Sequence, residues 1–96
     1  MGYKLKKHEP YVITGYEGKE YKIPAPIDMD LEDIEIVLRY NKSTDEIEKA
    51  QICKEFFLHA APDLESEGIS DMEYFMIFQD YNKAKPMEQK TELGES

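Results

Sequence analysis

Residues 11–26, YVITGYEGKEYKIPAP, decide the fold class. Tyr11, Ile13, Tyr21 and Ile23 follow a period of two within their runs, the spacing that sends alternate side chains to one face of a strand. Gly15 and Gly18 fall between the runs and supply turn residues, so the stretch predicts a β-hairpin. Pro24 and Pro26 end the second run, because proline offers no amide to a ladder, and they set an extended link. After them the apolar spacing turns helical. Two strands followed by three helices give the α+β class.

Asp30 is placed to cap the first helix, with Asp33 at its third position and Met29 clasping Ile34. Leu31, Ile34, Val37 and Leu38 form the expected core face, and the helix should end near Asn41. Ser43 with Glu46 reads as the capping box of a second helix. Its apolar arc takes in Ile47, Ala50, Cys53, Phe56, Phe57, Leu58, Ala60 and Ala61, more than half the circumference, which places this helix centrally. Pro62 stops it. PDLESEG is a polar connection. Ser70 with Glu73, and Ile69 with Tyr74, then start a third helix expected to reach about Lys85. Residues 1–85 are thus one domain with a basic arm at 1–9. Residues 86–96 form a polar tail expected to be disordered.

That third helix, within ISDMEYFMIFQDYNKAKP from Ile69, is apolar on two sides. Helical residues sit about 100° apart, so Tyr74, Ile77, Phe78 and Tyr81 share a face and make the better core stripe. Met72, Phe75 and Met76, with Gln79 among them, lie opposite. Either both faces are buried at home, or this second one serves a partner. Met-rich surfaces adapt to apolar partners of varied shape, so Met72, Phe75, Met76 and Gln79 are the candidate partner-binding residues.

The 96 residues suffice for one domain with a modest core. Net charge is −9, concentrated between residues 24 and 69, where twelve acids face four bases. That sign repels phosphate backbones and argues against nucleic-acid binding. No run reaches the roughly 18 apolar residues of a membrane span, and MGYKLKKHEP lacks the apolar stretch of a signal peptide, so the expected place is the cytosol. The lone Cys53 excludes an internal disulfide and, with His8 and His59, gives no zinc spacing. No Gly-rich phosphate loop, nucleophile motif or triad can be read, so the expectation is no enzyme and no cofactor. DMDLED, Asp28–Asp33, lacks the glycine and closing glutamate of a calcium loop. Its acids suit the start of a helix, where the dipole favours them, and no metal site is expected.

Taken in order, KHEPYVI, EGKEYKIPAP, RYN at the end of the first helix, CKEFFLHAAPDLE, DMEYFMIFQDYN and LGES cover nearly the whole chain. The series resembles the tail assembly chaperones of long-tailed phages and prophages of Gram-positive bacteria. The resemblance implies a small α+β protein without enzymatic activity, working in the bacterial host cytoplasm. It implies association along the helical, apolar-rich tape measure protein, which would otherwise aggregate before the tail tube forms around it. A longer frameshifted form would recruit tail tube protein, and this chain would correspond to the short form. Many copies lining one client would also self-associate. Two other readings stay open: an acidic nucleic-acid mimic or inhibitor occupying a basic groove, and a structural tail component retained in the virion.

Overall fold

A computed structural model describes residues 2–83. The tail from residue 86 and the expected end of the third helix near Lys85 lie outside them. Strands β1, Tyr11–Thr14, and β2, Glu20–Ile23, pair antiparallel, with Tyr11 opposite Ile23 and Ile13 opposite Tyr21. The period-two reading therefore holds. Tyr21 and Ile23 are buried, and Tyr11 and Ile13 pack against the same core. The Gly15 amide donates to the Lys19 carbonyl at 2.7 Å, and Gly18 takes φ 92°, a backbone that a side chain disfavours.

The proline exit is less extended than expected, because Pro26–Asp28 closes a 3-10 turn behind the buried Ala25. Helix α1, Leu31–Lys42, opens with the Asp30–Asp33 capping box. Asp33 N–H donates to Asp30 Oδ1 at 2.8 Å, and Asp30 N–H reaches Asp33 Oδ2 at 3.4 Å. The face buried by α1 differs from the expected one. Asp33 and Ile36 are buried, and Val37 and Tyr40 are half-buried. Leu31, Ile34 and Leu38 are exposed, and Met29 turns to the core without Ile34. Apolar residues cover so much of α1 that either stripe could have packed. Tyr40, whose ring lies 4.7 Å from that of Phe78, rotates the helix toward the aromatic stripe.

Helix α2, Glu46–Ala60, is capped by Asp45, whose carboxylate accepts from Ile47 N–H at 3.3 Å. The expected Ser43–Glu46 box does not form, because Ser43 closes α1 by donating its own amide to Arg39 and Tyr40. The Ser43 hydroxyl instead accepts from the Asp45 amide at 3.3 Å and donates to Glu48 Oε1 at 3.0 Å, which leaves the cap of α2 to Asp45. Within the expected arc Ala50, Cys53, Phe56 and Phe57 are buried, but Ile47 faces solvent. Ile52, outside that arc, is buried against the α1 side beside Ile36, Val37 and Tyr40.

Pro62–Glu67 is a 3-10 helix rather than a plain polar connection, and its Leu64 is fully buried. Gly68 ends it at φ 70°. Helix α3, Asp71–Lys83, follows, with the Glu73 amide donating to Ser70 Oγ at 3.2 Å. Tyr74, Phe78 and Tyr81 are buried and Ile77 packs beside them, as the spacing predicts. Their rings meet Phe56 and Phe57 at centroid distances of 5.4–6.2 Å. Burying each such side chain contributes about 1.5–3 kcal/mol. Two tyrosines fasten the hairpin to α3: Tyr81 donates to the Pro24 carbonyl at 2.6 Å and Tyr11 to Asp80 Oδ2 at 2.5 Å. Hairpin, α1, α2, the 3-10 helix and α3 thus share one core.

Candidate binding surface

Burying Tyr74, Phe78 and Tyr81 fixes the rotation of α3, and rotation decides what the helix presents outward. Met72 is 51% exposed and Met76 62%. Gln79 continues that line and is exposed. Phe75 sits between the outer line and the core. It is half-buried, and its ring lies 6.4 Å from that of Tyr40 at a tilt of 41°. The structure thus brings the four candidate residues onto one side of α3, three exposed and one partly anchored. Lys49 Nζ lies 5.2 Å above the Tyr40 ring, and Lys54 pairs with Asp71 at 3.6 Å. These lysines are two of the four bases between residues 24 and 69, where twelve acids surround them in the sequence.

A second apolar face escapes the sequence reading, which assigned its residues to the core. Leu31 is 78% exposed and Leu38 52%, with Ile34 between them and Ile27 just before the helix. The signal that could have found it is Tyr40. A tyrosine seven residues after Asp33 and four after Ile36 completes a competing stripe, and that stripe wins.

Beside this face runs an open groove between α1 and α2, lined by Glu32, Glu35, Arg39, Glu55 and His59 over Ile36 and Leu58. Arg39 pairs with Glu55 at 2.6 Å across it. At its end Asp30, Glu32 and His59 place ligand-type atoms within 4.8 Å of one another. Burial pushes the neighbouring Asp33 carboxyl above the ordinary range for an aspartate.

Cys53 is buried between α1 and α2, and desolvation pushes its thiol up to about 12. Tyr11 and Tyr81 are pushed up by burial as well, consistent with hydroxyls that donate rather than ionise. Among the described residues no helix is long and apolar enough to cross a membrane. Comparison of the chain with protein-family models, with curated proteins and with solved structures finds no match.

Proposed function

We propose that this protein is a non-enzymatic tail assembly chaperone that binds the helical tape measure protein of a long-tailed phage and keeps it soluble in the host cytoplasm. The observation that carries the reading is the exposed Met72–Met76 line of α3, with Phe75 half-buried behind it. A small domain that leaves two methionines on the outside of its most aromatic helix offers an adaptable apolar strip of the width of a helix. The acidic surroundings keep the free protein soluble and favour a client that carries bases beside its apolar residues. The family resemblance supplies the identity of that client, and a longer form of the chain would reach tail tube protein.

The second apolar face, Leu31, Ile34 and Leu38, supports self-association along the client, since copies in a row need a neighbour face as well as a client face. Like charges oppose that packing, so it should strengthen as salt screens them. Co-expression of a tape measure protein with and without this chain tests the proposal. The client should move from the pellet to the soluble fraction and co-purify. An unchanged pellet would overturn it.

A further inference from the structure

Two apolar groups stand uncovered on either side of one ion pair. On α1, Leu31 and Leu38 are exposed, with Ile34 between them. On the N-terminal arm, Tyr3 is 84% exposed and Leu5 85%. Among the described residues the arm makes one ion pair, His8 Nδ1 to Asp28 Oδ1 at 3.3 Å, three residues before Leu31. Lys7 and His8 also line a hollow with Ala25 and Pro26, so the arm leaves the body beside the start of α1. Charge divides the two groups as well. Residues 2–7 carry three lysines and no acid, whereas residues 24–38 carry five acids and no base.

The two groups match in spacing and reach. Tyr3 and Leu5 fall on one side of an extended chain, about 6.6 Å apart. Ile34 and Leu38 are separated by about 6 Å along the axis of α1. Five extended residues reach about 17 Å from His8, and the stripe from Leu31 to Leu38 is about 10 Å long. Laid along α1 from its anchor at Asp28, the arm sets Leu5 over Leu31 and Ile34, and Tyr3 over Ile34 and Leu38. Lys4 and Lys6 then lie on the outer side, with stems long enough to reach Glu32 and Glu35 at the rim of the stripe. Of the bases on α1, Arg39 is already paired with Glu55, and Lys42 lies a turn beyond Leu38.

We propose that the N-terminal arm is a strap that closes over the exposed face of α1 in its own chain and competes with a second copy for it. A tether of a few residues presents the arm to that face at a millimolar effective concentration, far above that of another chain. Ordering the arm offsets much of what its two apolar side chains gain, so the strap opens readily and adds little to the stability of the fold. Salt screens the lysines from the acids, shifts the balance to the open form and frees Leu31, Ile34 and Leu38 for another copy. The closure rests on spacing, reach and charge. Its effect on assembly rests on the reading of this face as the contact between copies.

A nitroxide on Gly2→Cys of the full chain tests the closure, because Cys53 is buried and leaves the new thiol to react. In dilute, low-salt solution the label should broaden the amide signals of residues 31–38. Tyr3→Ser with Leu5→Ser should cut that broadening at least about threefold. About 0.5 M salt should do the same. Tyr16→Ser, at an exposed tyrosine of the hairpin turn, should change nothing. Isotope-labelled chains without a nitroxide, mixed with spin-labelled ones, should keep those signals sharp. Equal broadening in the mixture, broadening that survives the Tyr3 and Leu5 changes, or none at residues 31–38 would each overturn the strap. In sedimentation velocity at low salt, the Tyr3→Ser, Leu5→Ser variant should associate at least about fivefold more strongly than wild type. Closure without that gain would overturn the competition, and with it the reading of this face as a contact between copies.

Discussion

The ring of Phe75 rests 6.4 Å from that of Tyr40, so the central aromatic of the outward side of α3 is fastened to α1. Phe75 is therefore both part of the apolar strip and a tie between helices. Phe75→Ala should cost about 1–2 kcal/mol, the worth of an aromatic pair and partial burial. Phe78→Ala, at a fully buried ring touching Tyr40, Phe56 and Phe57, should cost about 3–5 kcal/mol. Urea denaturation of the two variants measures the difference. Equal losses would mean that Phe75 is simply core.

The exposed face of α1 makes an opposite pair. Leu31→Lys and Leu38→Lys should each change stability by no more than about 0.5 kcal/mol, since neither side chain is packed. Ile36→Ala, on the buried stripe, should cost about 2–5 kcal/mol. In sedimentation velocity, any self-association of the wild type should grow with salt and be lost in the double lysine variant. Association that weakens with salt would place the contact on charged groups instead.

How much of this was legible in the sequence depends on how many stripes each segment offered. The hairpin reads cleanly because Tyr11, Ile13, Tyr21 and Ile23 leave one apolar face and the glycines fix the turn. On α3 the Tyr74–Phe78–Tyr81 stripe is so aromatic that its burial follows from size alone. On α1 the apolar residues wrap around the helix, and only the partner, through Tyr40 and Phe78, selects the face. The 3-10 helix hides in a polar stretch because Leu64 is its single buried apolar residue. The approach of His59 to Asp30, Glu32 and Asp33 could not be read at all, since it arises from the packing of α2 on α1.

Glu67 predicts an acid-sensitive joint. Its carboxylate accepts from the Tyr21 hydroxyl at 2.7 Å and the Tyr16 amide at 3.0 Å, and the Tyr21 bond is the larger cause holding its carboxyl below the ordinary 4.5. A depressed folded pKa gives a contribution that is present above 4.5 and fades as pH falls through the folded value. The stability difference between wild type and Tyr21→Phe should therefore shrink on acidification below that range. Gly15→Ala sets a methyl group into the same carboxylate and should destabilise, with Glu67→Ala in the same chain removing most of the penalty. A pH-independent difference, or additive effects of the two alanines, would disprove the joint.

Cys53 should be inert while the core is closed. With its thiol held up to about 12, a disulfide reagent should label it at least about a hundredfold more slowly in buffer than in denaturant. Labelling at the denatured rate in buffer would show that the contact between α1 and α2 opens readily.

The central claim is that the outward methionines of α3 hold a helical client. Met72→Asp with Met76→Asp tests it most directly, because both side chains are more than half exposed and neither supports the core. The double variant should melt within a few degrees of wild type, yet fail to co-purify with a co-expressed tape measure protein that wild type retains, since apolar anchors at an interface often contribute about 2 kcal/mol or more each. A folded double variant that holds the client as well as wild type does would contradict the account.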